Sequence, residues 1–395
     1  RVFVTGLGIL SSIGKNLSET LDSLLASRSG IGRINFLNTR HKENFPFAEV
    51  PLSNEQLVEL AGILNQDGYS RNTLLGIIAA NEAYHHARLN EISPLPTGLI
   101  SATTVGGMDR CELYYKDFLT NDSRNAYIDG YDCADSTERI ADNLQINDYI
   151  TTLSTACSSA ANAILLGARM IKSGQLDRVV AGGTEALTSF HADGFSSLKI
   201  LDTVPCRPFD ANRKGITLGE GAAYVILESE EAARAGGREI FAELVGWGNA
   251  CEAFHQTASS PDGNGAYLAM EKALKMSELN THDIDYINAH GTGTDNNDLA
   301  EGIAIEKLFG KNIPRISSTK PFTGHMTSAA GSAEAILSVL SIRHRMVLPN
   351  LNFQTPMPEL NFTPVTTFMK DTDVRAVLSN SFGFGGNDTS LIFKK

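Results

Sequence analysis

The chain has 395 residues, 42% of them hydrophobic and 20% charged, so it is long enough to bury the cores of two folding units. Its formal net charge of −12 disfavours general binding to nucleic acid. No apolar run approaches the ~18 residues that a membrane-spanning helix needs, so no membrane insertion is expected. The chain opens directly on a strand pattern, and this predicts no signal peptide.

Five cysteines are scattered along the chain, and neither a CxxC pair nor a Cys/His cluster has the spacing of a metal site. This usage predicts a reducing compartment, a cytoplasmic location and no bound metal. The glycines cluster in tight junctions such as GGTEA and FGFGG rather than in a low-complexity tract. The composition is therefore typical of an ordinary globular protein.

The first half of the chain alternates between strand and helix patterns. A strand with a glycine turn is predicted within 1–14, and further strands at 96–103, 151–156, 177–181 and 219–228. Helices are predicted at 16–25, 73–88, 136–144, 158–170 and 230–235. Three segments show neither period: 33–61 is predicted to be a surface excursion, 120–131 a polar loop and 195–209 a loop with two turns.

The alternation begins again at residue 239. Strands are predicted at 240–250, 286–289, 315–318 and 375–381, and helices at 264–277, up to Leu308, and at 328–344. The pattern predicts an α/β protein with two successive halves, 1–238 and 239–395, whose sheets are parallel and covered by helices. Direct sequence similarity between the halves is too weak to establish a duplication.

The central stretch is TTLSTACSSAANAILLGARM, residues 151–170. It predicts a short buried strand, a tight turn and a helix that is apolar almost all round and so lies in the middle of the fold. Cys157 then lies at a buried helix N-terminus, where unpaired N–H groups and the helix dipole should lower the pKa of its thiol. The alternative is a packing role, because free cysteine is among the most buried residue types.

Two histidines also follow predicted strands: His290 in NAHGTGT and His325 in STKPFTGHMTSAAG. Ligands of α/β proteins gather at the carboxyl ends of strands, so both could meet Cys157 there. A Cys–His pair with an orienting group would suit a hydrolase. Two neutral imidazoles facing one thiolate suit a Claisen condensation instead, because they can donate hydrogen bonds to a thioester enolate while the cysteine holds an acyl group.

Further motifs accompany these residues along nearly the whole chain. They are VTGLG at 4–8, TACSSA at 155–160, GGTEA at 182–186, RPFDANRKG at 207–215, GEGAA at 219–223, AHGTGT at 289–294, ND at 297–298, STK at 318–320, GH at 324–325, AAG at 329–331 and NSFGFGGND at 380–388. In these motifs the chain resembles the β-ketoacyl-acyl-carrier-protein synthases, the elongating condensing enzymes of the thiolase superfamily. The resemblance implies a thiolase-like fold, in which two similar α/β halves form a five-layered αβαβα core.

The resemblance also implies catalytic roles. Cys157 would take the growing acyl chain as a thioester, and His290 and His325 would bind the malonyl thioester, promote loss of CO2 and stabilise the enolate. The backbone N–H groups of Cys157 and Phe384 would form the oxyanion hole, and Phe384 would also be the gate that opens after acylation. Lys320 would be a further catalytic residue, which supports Cys157 and the two histidines as a member of a charged pair.

Supporting residues follow from the same resemblance. Thr292 and Thr294 resemble the pair that binds the phosphopantetheine arm, and Lys320 with Glu334 resembles the pair that holds the network around His325. Asp298 and Glu301 would lie behind the catalytic residues and support them. Cys111 falls near the position that lines the acyl tunnel in the family. The expected reaction is formation of 3-oxoacyl-acyl-carrier protein from a Cys-bound acyl chain and malonyl-acyl-carrier protein in fatty-acid elongation.

Several departures from the family pattern leave the substrate open. Lys214 and Ile216 replace acidic and aromatic residues, Ser328 replaces a glycine, and the 195–209 segment is shorter than in typical fatty-acid elongating members. A ketosynthase of an aryl-polyene or polyketide pathway would use the same chemistry. A non-catalytic partner of the chain-length-factor type lacks the active cysteine, so Cys157 argues against it, and a cysteine hydrolase is the least favoured alternative.

The expected partner is acyl carrier protein, which is acidic and would need a local basic patch on this acidic chain. Arg71, Lys199 and Arg207 are the candidate contacts, with solvated surface charge as the alternative for each. The resemblance implies a homodimer and no cofactor beyond the phosphopantetheine of the carrier.

Overall fold

A computed structural model of the protein describes residues 1–89 and 95–395. Within them, ten strands join in one mixed sheet. The strands are β1 (Val2–Ser11), β2 (Thr97–Ala102), β3 (Tyr149–Leu153), β4 (Arg178–Glu185), β5 (Gly221–Ser229), β6 (Ala242–Cys251), β7 (Tyr286–Asn288), β8 (Arg315–Ser317), β9 (Ala376–Gly383) and β10 (Asn387–Lys394).

Helices cover both faces of this sheet. They are α1 (Leu17–Leu25), α2 (Asn54–Ala61), α3 (Arg71–His86), α4 (Met108–Tyr114), α5 (Asn125–Asp129), α6 (Cys133–Leu144), α7 (Ser159–Lys172), α8 (Ser189–Ser197), α9 (Glu230–Ala235), α10 (Asn264–Ser277), α11 (Asp295–Phe309), α12 (Lys320–Thr323) and α13 (Ala330–His344). None of the helices in the described ranges has the length and apolar character needed to cross a bilayer.

The strand order is β3-β2-β4-β5-β1-β6-β10-β9-β7-β8, and the two ends of this order mirror each other. Pairing is parallel at β3-β2-β4 and at β9-β7-β8, and antiparallel through β5, β1, β6 and β10. The prediction of purely parallel sheets is therefore wrong. Strand β10, which the sequence pattern missed, follows β9 after a three-residue turn and so can pair only antiparallel to it.

The two halves of the sheet lie on either side of a central pair of helices, α7 and α13. Helix α7 packs against β2, β4 and β5 and also contacts β10, while α13 packs against β9 and also contacts β5. Helix α3 covers the outer face of β1 and β5, and α10 covers β6 and β10. The result is the five-layered αβαβα arrangement, with α7 and α13 in its middle layer.

Glycines within β1 and β6 let the outer helices approach closely. A Cβ atom on Gly8 would lie 2.1 Å from the carbonyl oxygen of Ala79 in α3, and one on Gly248 would lie 2.1 Å from that of Ala269 in α10. The VTGLG motif is thus a stretch of strand interior under a helix, and the predicted glycine turn is wrong. Glycine is required here by close backbone packing.

Three predicted loops contain helices. Within 33–61, α2 begins at a capping box in which Ser53 and Gln56 satisfy each other's backbone N–H groups. Within 120–131, a 3₁₀ turn leads into α5, and α8 extends into the 195–209 segment. These helices are short, and a helix of this length shows too few turns for its apolar period to stand out from the sequence.

Candidate active site

The cysteine and the two histidines approach from different parts of the chain. Cys157 lies in the turn between β3 and α7, His290 follows β7, and His325 follows β8 and α12. The structure brings one ligand atom of each side chain within 4.8 Å of the others, and all three residues are buried. The two imidazole rings are nearly perpendicular, at 82°, with centroids 5.3 Å apart.

The turn that carries Cys157 is strained and crowded. Ala156, directly before it, has a positive φ of 51°, a backbone conformation that non-glycine residues adopt rarely. A Cβ atom on Gly383 would lie 3.1 Å from the backbone nitrogen of Cys157, so only glycine lets the end of β9 lie against this turn. The close approach holds the 384–386 turn beside the thiol.

Burial raises the pKa of the Cys157 thiol to about 11, which is opposite to the prediction from the helix N-terminus. The positive charge of Lys320 and the backbone N–H groups of Phe384 and Cys157 lower this pKa but do not outweigh burial. The resting side chain is then a thiol, and its proton must leave when the sulfur attacks a thioester. Both N–H groups lie where they could also receive a developing oxyanion.

His290 is held as a neutral ring. Burial lowers its pKa well below the ordinary value, and the charge of Lys320 and the proximity of His325 lower it further. Nζ of Lys320 lies 3.1 Å from Nδ1 of His290 and also contacts the carbonyl oxygen of His290 and the carboxylate of Glu334. The Lys320–Glu334 pair is therefore built around His290, and the expectation that it holds His325 is wrong.

His325 is also a neutral ring, since burial and the charge of Lys320 lower its pKa well below the ordinary value. Its backbone N–H donates to the carbonyl oxygen of Thr217 at 2.7 Å. Its Nδ1 has no hydrogen-bond partner among the described residues. His191 on α8, which sequence reasoning overlooked, lies close enough to lower the same pKa; its position five residues after the GGTEA motif was the available signal.

Two buried carboxyl groups on α11 shape the loop after His290. Glu301 accepts hydrogen bonds from the backbone N–H groups of His290 at 2.9 Å and Gly291 at 2.8 Å. Asp298 accepts from the N–H of Thr292 at 2.9 Å and from that of Gly293. Burial raises the pKa of Glu301 to about 7 and also raises the pKa of Asp298. Both act on the loop backbone rather than on the cavity.

A cavity of about 210 Å³ connects the thiol and imidazoles with the surface. Thr292 and Thr294 line it, and their hydroxyl oxygens lie 2.9 Å apart. Its other lining residues include Phe195, Lys199, Ile200, Lys214, Ile216, Ser259, Asp295, Asn296, Phe382 and Phe384. The narrow, largely apolar channel suits a flexible arm with a few amide groups.

Phe384 forms part of the wall of this channel. Its ring stacks on that of Phe195 at a centroid distance of 5.9 Å and an angle of 20°. Gly385 and Gly386, which follow it, have φ angles of +82° and +76°, which glycine adopts without strain. The aromatic pair therefore ends on a turn whose backbone has more freedom than the strands on either side.

The other predicted positions lie apart from this channel or at its rim. Cys111 is buried on α4 and does not line the channel of Cys157. Lys199 is exposed at the rim, whereas Arg207 is half-buried and paired with Asp202 at 3.2 Å. Arg71 is buried, which corrects its prediction as a carrier contact.

The guanidinium of Arg71 forms an ion pair with Glu220, with Nη2 2.6 Å from Oε1. It also donates to the carbonyl oxygens of Val50 and Leu52. The guanidinium is therefore hydrogen-bonded to groups inside the protein rather than directed toward a partner. A charge at the first residue of a helix is usually exposed, and no local pattern signals that Glu220 lies opposite it.

The same three side chains at the centre form the one candidate metal cluster found in the described ranges. Cysteine and two histidines are a plausible ligand set for Zn²⁺. The ammonium of Lys320, however, sits against Nδ1 of His290, and its positive charge would repel a cation bound there. The charge distribution favours an anion or a developing oxyanion over a metal ion.

Fold and site together define a thiolase-fold condensing enzyme, and comparisons with known proteins give the family. Residues 1–233 match the N-terminal domain model of the β-ketoacyl synthases, and residues 241–354 match the C-terminal domain model. The chain belongs to the β-ketoacyl synthase family and is an enzyme of the acyltransferase class.

Curated relatives extend over the whole chain. A 3-oxoacyl-[acyl-carrier-protein] synthase 2 of Staphylococcus aureus is 34% identical, covering 100% of this chain and 98% of the relative. The synthase of the same name from Vibrio cholerae is 35% identical, covering 100% and 99%.

Solved structures agree on the fold. The ishigamide ketosynthase/chain length factor has a TM-score of 0.92 and 30% identity, covering 100% of this chain and 99% of that chain. A β-ketoacyl synthase from Burkholderia phymatum has a TM-score of 0.88 and 28% identity, covering 100% and 99%.

Proposed function

We propose that the protein is an elongating β-ketoacyl-acyl-carrier-protein synthase of fatty-acid synthesis. The observation that carries this proposal is the meeting of a buried thiol with two neutral imidazoles at the end of a narrow channel. Relatives named 3-oxoacyl-[acyl-carrier-protein] synthase 2 support the same reaction. Acyl carrier protein would deliver both substrates, and the proposal requires no cofactor beyond its phosphopantetheine.

The first half-reaction transfers the acyl chain. The sulfur of Cys157 attacks the acyl thioester, its proton passes to the departing carrier thiolate, and the acyl-enzyme forms. The N–H groups of Cys157 and Phe384 stabilise the oxyanion of the tetrahedral intermediate. Movement of the Phe384 ring away from Phe195 would then widen the channel for the second substrate.

The second half-reaction forms the carbon–carbon bond. Malonyl-carrier loses CO2, and the electron pair of the broken bond becomes an enolate whose oxygen accepts hydrogen bonds from His290 and His325. The enolate carbon attacks the thioester carbonyl of acyl-Cys157, the carbon–sulfur bond breaks, and 3-oxoacyl-carrier leaves. The departing sulfur takes up one proton from solvent, and burial of the site limits premature protonation of the enolate.

Intact mass spectrometry after incubation with acyl carrier proteins tests the proposal. The panel runs from short to long saturated chains and includes polyenoyl and aryl chains, with Cys157→Ala as the matched control. We expect an acyl adduct that Cys157→Ala lacks. If no donor of the panel gave an adduct, the proposal of a self-sufficient synthase would be overturned and a non-catalytic partner subunit would be favoured. Release of free acid without ketoacyl product would favour a hydrolase.

The second candidate is a ketosynthase of polyene or polyketide synthesis. The likeness to the ishigamide ketosynthase/chain length factor, with a TM-score of 0.92, favours it. The same donor panel separates the two candidates, because a fatty-acid synthase should prefer saturated chains. Activity only after addition of a chain-length-factor partner would also favour the second candidate.

The proposed assembly is a homodimer formed through the edge strand β3. Among the described residues this strand pairs with β2 alone, and Ile150 within it is 40% exposed. An exposed edge with an apolar residue is a ready surface for pairing with a second strand.

We also propose that 1–238 and 239–395 are two domains, which the mirrored strand order supports. Light scattering that gives a monomer mass at micromolar concentration would overturn the dimer; a cytoplasmic location stays a prediction.

A further inference from the structure

His325 lacks the kind of support that Lys320 gives to the ring of His290. Nδ1 of His325 has no hydrogen-bond partner among the described residues, so no contact of that nitrogen fixes the ring. The place of the ring therefore depends on the backbone that carries it. At His325 itself, the N–H donates to the carbonyl oxygen of Thr217 at 2.7 Å, and the carbonyl oxygen accepts from the N–H of Gly219 at 3.0 Å.

Thr327, two residues after this histidine, has a strained backbone. Its φ angle is +41°, in the left-handed region that β-branched residues rarely adopt. Such a conformation is costly and persists only where the surrounding contacts enforce it. Thr327 is buried and begins the 3₁₀ turn Thr327–Ala329, which leads into α13. The strain points to a specific contact that holds this residue in place.

That contact is with Glu185, the acidic residue of the GGTEA motif at the end of β4. The hydroxyl of Thr327 donates to Oε2 of Glu185 at 3.0 Å, and the backbone N–H of Ser328 donates to the same oxygen at 3.4 Å. The hydroxyl of Ser328 donates to the carbonyl oxygen of Thr184 at 3.2 Å. The end of β4 therefore binds the segment after His325 through three hydrogen bonds.

Glu185 is itself anchored on its other side, in the loop after β2. Its carboxyl group accepts from the hydroxyl of Thr103 at 2.9 Å, from the backbone N–H of Thr104 at 3.0 Å and from the hydroxyl of Thr104. Glu185 is 1% exposed, and within residues 1–89 and 95–395 it has no ion-pair partner. Hydrogen bonds therefore compensate for the burial of this carboxyl group and fix its position independently of the segment after His325.

We propose that Glu185 is a positioning residue for His325 and acts through the hydroxyl of Thr327. Each imidazole then has its own buried ionisable residue: Lys320 contacts the ring of His290, and Glu185 holds the backbone that carries His325. This inference rests on the proposed function, in which His325 donates to the enolate oxygen. A small displacement of His325 weakens that hydrogen bond but leaves acyl transfer, which depends on backbone N–H groups, largely intact.

Thr327→Val tests the contact, because valine keeps the shape of the side chain and loses the hydroxyl. We expect kcat for CO2 release from malonyl-carrier to fall about tenfold with an unchanged KM, and the rate of Cys157 acylation to change by less than about twofold. Thr327→Ser keeps the hydroxyl and should restore CO2 release. Radiolabelled CO2 and intact mass spectrometry measure the two half-reactions.

Thr103→Val is the matched control. It removes a hydrogen bond to the other oxygen of Glu185, on the side away from His325. Both valine variants should lower the Tm, but only Thr327→Val should lose CO2 release selectively. An equal loss in both half-reactions of Thr327→Val, or the same selective loss in Thr103→Val, would overturn the proposal.

Crystal structures of the wild type and the two Thr327 variants test the same contact without turnover. In Thr327→Val we expect the φ angle of residue 327 to leave the positive region and the His325 ring to shift relative to Sγ of Cys157. Thr327→Ser should retain the wild-type arrangement. An unmoved His325 in the valine variant would contradict the positioning role, whereas a wild-type protein that releases no CO2 would refute the proposed function and leave this structural test valid.

Discussion

Nζ of Lys320 lies 3.1 Å from Nδ1 of His290, and this contact decides which nitrogen of the imidazole carries its proton. A lysine ammonium has donors only, so Nδ1 must accept. The proton of the neutral ring is then on Nε2, which becomes the donor available to a substrate oxygen. Lys320 therefore acts through His290 as a positioning residue.

Replacement of Lys320 should impair the step that needs this donor. We expect Lys320→Met to slow CO2 release from malonyl-carrier by about 100-fold or more, the usual effect of losing one oxyanion donor. Acyl transfer to Cys157 should fall less, because it depends on the backbone N–H groups. Radiolabelled CO2 release and intact mass spectrometry measure the two steps separately.

The matched control for this variant is Lys320→Met/Glu334→Gln. The single variant leaves the carboxyl group of Glu334 buried without its cation, which costs stability, whereas the double variant does not. Both variants should share the loss of CO2 release. Normal CO2 release in the double variant would mean that Lys320 does not set the tautomer of His290.

Alkylation of Cys157 should depend steeply on pH. With a thiol pKa of about 11, only about one molecule in ten thousand carries a thiolate at pH 7. We expect the rate of reaction with iodoacetamide to rise about tenfold per pH unit between pH 7 and 10. A rate that levels off below pH 8 would show that the helix N-terminus and Lys320 outweigh burial.

Truncation of the Phe384 ring should uncouple the two half-reactions. Phe384→Ala removes the stack on Phe195 but keeps the backbone N–H, so Cys157 should still be acylated. We expect malonyl-carrier to be decarboxylated severalfold faster than in the wild type when no acyl donor is present. Phe190→Ala, an exposed ring on the neighbouring helix that does not line the channel, is the control and should show no such increase.

A buried carboxyl group beneath the 384–386 turn should make stability depend on pH. Asp388 is 2% exposed and lies near Glu252, and a Cβ on Gly265 would be 2.1 Å from Oδ2 of Asp388 and 2.9 Å from Oε2 of Glu252. Burial, then the charges of Glu252 and Glu301, raise the pKa of Asp388 to about 8. The folded protein therefore holds a proton that the unfolded chain releases above its ordinary pKa of 3.8.

The stability that this proton contributes is fully present below about pH 4 and is lost as the pH rises to about 8. Over that range the free energy of unfolding falls by at most about 1.4 kcal/mol per pH unit. Asp388→Asn removes the titration. We expect its Tm to exceed that of the wild type at pH 8.5, with a smaller difference at pH 5.5. The difference between the proteins isolates Asp388, because other buried carboxyl groups titrate in both; a constant difference would contradict the assignment.

Loss of the buried ion pair at Arg71 should lower the stability of the protein without weakening its binding of acyl carrier protein. Arg71→Ala leaves Glu220 as an unpaired buried charge, which typically costs about 3–5 kcal/mol. We expect a lower Tm and an unchanged KM for acyl carrier protein in the folded fraction. Arg71→Met/Glu220→Gln should recover part of the Tm, and a specific rise in KM would revive the carrier contact.

Local sequence determined a large part of the fold. The 264–277 and 230–235 helices begin and end where the pattern placed them, since caps, glycines and apolar spacing act within a few residues. Chemistry-bearing residues at strand ends also pointed to Cys157, His290 and His325 as one cluster, because strand ends of α/β proteins meet at one edge. Motifs spread over the whole chain identified the family.

Tertiary structure decided what depends on distant partners. Residues 149 positions apart, Arg71 and Glu220, form a buried pair that no local pattern reveals. The contact of Lys320 with His290 and the raised pKa of Cys157 likewise come from elements that meet only in the folded chain. Burial and long-range electrostatics add contributions from many segments at one point in space, whereas sequence patterns report only the spacing of neighbours along the chain.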